Sequence, residues 1–340
     1  MPKHWRIMEV CGSHTMAIAR FGLKQLLPDG VELISGPGCP VCVTANAQID
    51  TAIALARRPE TIICSFGDML RVPGSSSSLA NERAHGADVR VVYSPADALD
   101  IAACNPAQTV VFIGVGFETT APLSAATIKR AKTRQLDNFC LFCAHKLVPP
   151  ALASLAGAAE VAVDAFLLPG HVSTVIGLEP YRFLATHYHL PGVVSGFSAN
   201  EILQAVDAIL HQLVADTASI ENAYPAGVRE HGNPTARALL EEVFQPVDCD
   251  WRGLGQIEAS GLALRAEYAS FDACRRFPDL SVEPTREARG CRCGDVLKGL
   301  IKPTECPLFD HGCSPLQPIG PCMVSSEGSC AAAYKYRECS

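Results

Sequence analysis

The sequence has no long apolar run. Its most apolar stretch, Leu147 to Leu168, is broken by Pro149, Pro150, Glu160 and Asp164, short of the roughly 20 apolar residues of a membrane span. The first ten residues, Met-Pro-Lys-His-Trp-Arg-Ile-Met-Glu-Val, carry no apolar signal-peptide core. Basic charge is not in excess: 28 Lys and Arg against 35 Asp and Glu give a net charge of −7. That balance argues against nucleic acid or an anionic membrane surface as the main partner. No sequence repeat is evident. Disorder is excluded from the other side, because hydrophobic residues make up 48% and charged residues only 19%, ample material for buried cores. A chain of 340 residues then suggests two or three folded domains, and the expected location is the cytoplasm.

What the chain has in abundance is cysteine, 16 residues. A chain this long does not need disulfide staples, and in a reducing compartment clustered thiols more often bind metal or do redox work.

Short apolar runs alternate with helical patterns over the first two-thirds. Strands are expected at Ile7–Val10, Glu32–Ser35, Thr61–Cys64 and Val89–Tyr93. A second series follows at Val110–Val115, Phe139–Cys143, Ala165–Leu168 and Gly192–Ser195. Strand–helix alternation implies parallel sheets built from βαβ units. Helices are readable at Ile49, Ile53 and Ala56, and over Glu201 to Val214 with an apolar stripe of Ile202, Ala205, Val206, Ile209, Leu210 and Leu213. The expected architecture is two parallel-sheet α/β domains, 1–105 and 106–218, each built on four consecutive strands. Composition shifts after about Ser219. Residues 219–340 hold nine cysteines, Cys339 included, among many Pro and Gly, and are expected to form a loop-rich third domain folded around metal.

Three thiols stand at strand ends, where open α/β sheets place ligands. Cys11 ends the first strand in Cys-Gly-Ser-His-Thr, with His14 three residues on. Cys39 and Cys42 follow the second in Gly-Pro-Gly-Cys-Pro-Val-Cys. A helix starting near Cys42 would favour its thiolate. Three such thiols suit a soft metal or a redox site. His14 is a ligand, a proton donor or an orienting group. The other C-x-x-C, Cys140 to Cys143, lies inside an expected strand and reads equally well as core packing. Gly114-Val-Gly116 begins like a dinucleotide fingerprint but lacks the third glycine. Glu118, Thr119 and Thr120 follow it at a strand end, where the threonines would also suit a helix cap. His171 and His145 stand at further strand ends. Asp68 and Arg71 read as an internal ion pair or as contacts to a ligand or partner.

In the last segment Cys293, Cys306, Cys313 and Cys330 are separated by twelve, six and sixteen residues. Four thiolates suffice for an iron–sulfur cubane and equally for a structural zinc. Cys291, Cys322 and Cys339 lie close by. Cys64, Cys104, Cys249 and Cys274 read as ordinary thiols.

Taken in order, several motifs become specific together: Cys-Gly-Ser-His-Thr, Gly-Pro-Gly-Cys-Pro-Val-Cys, Ser-Phe-Gly-Asp-Met-Leu-Arg-Val-Pro-Gly (65–74) and Gly-Phe-Glu-Thr-Thr-Ala-Pro (116–122). Pro-Gly-His-Val-Ser (169–173), Trp-Arg-Gly-Leu-Gly (251–255) and Met-Val-Ser-Ser-Glu-Gly-Ser-Cys (323–330) continue the series. Nearly end to end the chain resembles the HypD family of [NiFe] hydrogenase maturation factors. The resemblance implies a scaffold that assembles Fe(CN)2(CO) with HypC-type and HypE-type partners, the latter delivering cyanide. It implies that Cys11, Cys39 and Cys42 hold that iron or do redox beside it, with His14, Glu118 and His171 around it. It also implies that Cys293, Cys306, Cys313 and Cys330 ligate a [4Fe–4S] cluster that feeds electrons to the site. Two departures stand out. Met16 replaces a second histidine common in the family, and the chain starts almost at the first strand. The rival reading is a stand-alone Fe–S dithiol oxidoreductase.

Overall fold

The structure is a computed structural model that describes residues 4–336, so Cys339 lies outside the described residues. Eleven strands are present among them: β1 Trp5–Glu9, β2 Val31–Ser35, β3 Thr61–Ser65, β4 Asp88–Val91, β5 Thr109–Gly116, β6 Phe139–His145, β7 Ala165–Pro169, β8 Gly192–Ser195, β9 Ile220–Asn222, β10 Phe244–Trp251 and β11 Gly255–Leu264. The first eight sit where the apolar runs predict them, within two residues at each end. No helix among the described residues is long and apolar enough to cross a membrane.

The grouping of those strands differs from expectation. One parallel sheet has the order β2-β1-β7-β8-β9 and the other β4-β3-β5-β6. The expected sets, first four and second four, are therefore not the sheets. β3 pairs with both β4 and β5, across the join expected at 105/106. β1 pairs in register with β2 (Ile7 opposite Leu33) and with β7 (Ile7 opposite Ala165). β9, beyond the expected second boundary, completes the first sheet against β8. The physical reason is that alternation fixes a strand's type and not its neighbour, and a sizeable minority of consecutive strands do not pair.

Each sheet is buried on both faces, as parallel sheets are. Alternate side chains serve opposite cores. In β1, Ile7 joins Leu33, Leu167 and Val193 under the helix Ala199–Ala215, while Met8 faces the other side with Ile34, Phe166 and Leu168. In the second sheet, Ile62, Val110, Phe112, Phe139 and Leu141 form one core, and Ile63, Val111, Ile113 and Phe142 the other. That alternation settles Cys140 and Cys143. They pack toward different cores, Cys140 fully buried, and burial pushes both thiols up to about 12. Cys64 is likewise fully buried core. The helix Ala199–Ala215 begins with a capping box in which Ser198 Oγ accepts from Glu201 N at 3.3 Å and the Glu201 carboxylate accepts from Ser198 N at 2.9 Å. Its Ile202, Ala205, Val206 and Ile209 are buried as the stripe predicts.

After the first sheet closes, β10 and β11 form an antiparallel hairpin. A loop-rich segment follows it, and short helices Cys293–Leu297, Pro321–Val324 and Ser329–Lys335 bring the late cysteines back against the first sheet's inner core.

Candidate functional site

Cys11 stands just past β1 as the N-cap of the helix Gly12–Arg20. The Gly36–Cys39 loop lies directly on it. Gly12 N donates to Gly38 O at 2.9 Å, and a Cβ at position 38 would fall 2.1 Å from Cys11 N. Only glycine lets these two backbones meet. Cys39 caps the four-residue helix Pro40–Val43, its sulfur accepting from Cys42 N at 3.3 Å, and the two sulfurs lie 2.6 Å apart.

All three thiols are buried. Burial pushes the Cys11 thiol up to about 12 against two backbone N–H donors, from His14 and Ser13. Burial also raises Cys42 well above its usual value. The thiolate expected from a helix N-terminus is thus overruled, because a single turn carries little dipole and desolvation is larger. Cys11 and Cys42 are held as neutral thiols.

His14 is fully buried. Its Nε2 lies 2.9 Å from Gly196 O, so that nitrogen carries the proton and Nδ1, which has no partner, is the bare one. Burial lowers its pKa to about 4. His14 therefore ties the first helix to the end of β8 as a neutral ring. The exposed His171 stacks on Phe197 at 3.9 Å, and the Phe197 ring lies 5.0 Å from that of His14.

Glu118 is not brought onto the cysteines by any direct contact shown. Its Oε1 accepts from Val148 N at 3.0 Å and its Oε2 is buried without a partner. Desolvation raises its pKa to about 7. It lines a separate, largely apolar cavity of about 340 Å³ with Leu147, Pro149, Leu240 and Phe244. Gly116 is packed tightly on Thr120, whose Oγ1 would lie 2.2 Å from an added Cβ. The paired glycines of β5 therefore serve close packing, and no phosphate loop is formed. Thr120 occupies the N-cap of the following helix without a side-chain cap bond. His145 is buried against Ser124 at 2.9 Å.

Asp68 and Arg71 hold the cysteine-rich segment instead of each other. The Asp68 carboxylate accepts from Ser326 N at 3.0 Å and from Ser326 Oγ at 3.1 Å, and Arg71 donates to Val324 O at 3.2 Å. This delivers residues that sequence reasoning missed. Ser325 Oγ sits 3.3 Å from Cys39 Sγ. Glu327 accepts from Ser13 Oγ at 2.7 Å, and its charge adds to the upward push on Cys11. Glu9 is a third. Its carboxyl accepts from Thr15 Oγ1 at 2.5 Å and from Cys11 N at 3.2 Å, and burial raises its pKa to about 8. Only Glu9 had a sequence signal, an acid inside an apolar strand.

The late cysteines line one small cavity: Cys291, Cys293, Cys306, Cys313, Cys322 and Cys330, walled by Leu308, Phe309 and Met323. Cys293 Sγ and Cys322 Sγ are 2.7 Å apart, and Cys313 Sγ accepts from Ile319 N at 3.3 Å. Cys322 lies near enough to Cys42 and Cys330 for each to influence the other's proton, and helix Pro321–Val324 packs on helix Pro40–Val43. The Cys39–Cys42 pair and the six-thiol cavity therefore adjoin at Cys42 and Cys322. Among the described residues no group of three or more ligating side chains is already arranged around one metal ion. The donor set itself is all sulfur in an apolar shell, which fits an iron–sulfur cluster.

The decisive comparison covers the whole of this geometry. A family model described as "HypD: Hydrogenase formation hypA family" matches residues 1–337. The chain belongs to the HypD family. Curated HypD relatives agree. The chain is 49% identical to "Hydrogenase maturation factor HypD" of Escherichia coli (strain K12) over 334 residues, 98% of this chain and 89% of that protein. It is 48% identical to the Rhodobacter capsulatus HypD over 97% of this chain and 89% of the relative. It is 46% identical to that of Azotobacter vinelandii over 98% and 90%. Of the motifs quoted from the sequence, those at 11–15, 36–42, 65–74 and 323–330 carry early and late thiols and the contacts between them, while 116–122 lines the separate cavity at Glu118.

Proposed function

We propose that this chain acts in [NiFe] hydrogenase maturation as the scaffold on which the Fe(CN)2(CO) unit is assembled. The observation that carries the reading is that the close Cys39–Cys42 pair lies beside the six-thiol cavity, with Cys42 and Cys322 packed in one core. Family membership supports the process, and the buried thiols at Cys11, Cys39 and Cys42 support the cargo. Iron bearing cyanide and carbon monoxide is low-spin and soft, and thiolates suit it.

In this reading Cys39 and Cys42 bind the incoming iron and Cys11 completes its sulfur set, each giving up its proton. His14 and Glu9 hold Cys11 in place, His14 through Gly196 and Glu9 through the Cys11 amide. A HypC-type partner adds a further thiolate, and a HypE-type partner delivers cyanide on the exposed His171 side. Cys306, Cys313 and Cys330 hold a [4Fe–4S] cluster, which supplies single electrons when bound. Cys291 is the better fourth ligand, because Cys293 is engaged with Cys322 where the cavity adjoins Cys42.

Two tests follow. Infrared spectra of the chain, purified without oxygen after co-expression with its HypC-type partner, are expected to show cyanide and carbonyl stretches that vanish in Cys39→Ala. Iron and sulfide with an empty infrared window would point instead to a dithiol oxidoreductase, the reading favoured by the 2.6 Å Cys39–Cys42 contact alone. Iron and sulfide content is expected to fall in Cys291→Ala and Cys306→Ala and to persist in Cys293→Ala. Cys306→Ala with normal hydrogenase maturation would break the link between cluster and thiols.

A further inference from the structure

Lys146 is almost fully buried, at 1% exposure, yet among the described residues no carboxylate forms an ion pair with its amine, and the Asp250 charge acts on it only from farther away. It follows β6 on the crossover toward β7. Its Nζ donates to Asp250 O at 2.6 Å and to Cys249 Sγ at 3.0 Å, and it lies 5.3 Å from the centre of the Trp251 ring. Among the described residues, the Cys249 thiol is the acidic group that hydrogen-bonds to this amine. Burial lowers the Lys146 pKa, and the charge of Cys249 is the largest influence opposing that shift. Cys249 itself is partly exposed, held on the hairpin with Gly261 packed against it. A lysine amine donating to a cysteine sulfur is a setting in which cysteines become nucleophilic, and at 3.0 Å the amine is also within reach of the sulfur.

We propose that Cys249 and Lys146 form a covalent modification site, at which hydroperoxide oxidation of the thiol is followed by closure of a sulfur–nitrogen bond to the lysine. In the first step the Cys249 thiolate attacks one peroxide oxygen. The S–O bond forms and the O–O bond breaks, sulfur losing two electrons to the peroxide. The Lys146 ammonium gives its proton to the departing hydroxide, leaving sulfenic acid, free amine and one water. In the second step the Lys146 amine attacks the sulfenic sulfur. The N–S bond forms, the S–O bond breaks, and hydroxide leaves as water with a proton from nitrogen. The product, a sulfenamide, is one rung above the thiol on the oxidation ladder and is reversible by thiols. Trp251 stands between this pair and the iron-site loop. It stacks on Phe117 at 5.9 Å and bridges to Thr44, two residues past Cys42.

The full-length chain, treated with hydrogen peroxide and alkylated, would be digested with trypsin without reductant and mapped by mass spectrometry. A linked species is expected that joins residues 135–182, uncleaved after Lys146, to residues 238–252, lighter than their sum by two hydrogens. Cys249→Ser and Lys146→Arg, each with unchanged circular dichroism, are expected to lose it. Normal cleavage after Lys146, with Cys249 recovered as free thiol, as sulfinic acid or in a disulfide to Cys143, would overturn the proposal.

Discussion

Glu9 shows how one buried carboxyl positions a thiol. Held protonated near neutrality, it can sit unpaired with any cation beside Cys11 and still accept from its amide. Its folded pKa of about 8 stands above the unfolded value of 4.5. The folded state therefore holds its proton longer than the unfolded chain. The stabilisation is complete below about pH 4.5, is lost progressively between about 4.5 and 8, and is absent above. Glu9→Gln removes this dependence. Urea unfolding at several pH values is expected to show the stability difference, variant over wild type, growing across that window toward about 5 kcal/mol. A flat difference would mean that the carboxyl is ionised in the fold. At this scale the cysteine spacing made the thiols legible, while Ser325 and Glu327 were not, because a serine or glutamate in a polar loop carries no periodic signal and gains meaning only from what it touches.

Among elements, the loop Gly36–Cys39 is the most demanding. It must press against Cys11 N with no side chain at position 38. Gly38→Ala is expected to cost roughly 2–4 kcal/mol in unfolding experiments and to abolish the infrared bands while leaving iron–sulfide content intact. Retained bands would show that the backbone can yield there. Strands were legible as elements because buried parallel strands are short, nearly continuous apolar runs. Their neighbours were not, since β1 finds β7 across 158 residues (165 minus 7), and no local pattern encodes a partner that distant. The late cysteines were legible as a thiol-rich segment, but the pairing of Cys293 with Cys322 was not, because spacing does not say which thiols of six come together.

Over the whole molecule, Asp68 and Arg71, just after β3 of the second sheet, join the Ser13–Glu327 and Cys39–Ser325 contacts in holding residues 324–327 beside the early thiols. Asp68→Ala leaves the Ser326 amide without its acceptor. It is expected to cost about 1–3 kcal/mol and to expose the segment after Val324 to limited proteolysis, with electron supply to Cys39 and Cys42 lost before iron content is. Unchanged proteolysis would mean that the remaining contacts hold the two centres together.

The order of strands in the first sheet also sets a schedule for synthesis. β1 and β2, with the three early thiols beside them, leave the ribosome long before β7, β8 and β9 exist to pair with them. At roughly 5–20 residues per second, the nascent chain carries Cys11, Cys39 and Cys42 for on the order of ten seconds before the sheet can close, and longer before Ser325 arrives beside Cys39. If these thiols take iron as proposed, metal captured in that interval would be held by a half-built site, and a translating cell would have reason to keep free iron from the chain until it is complete.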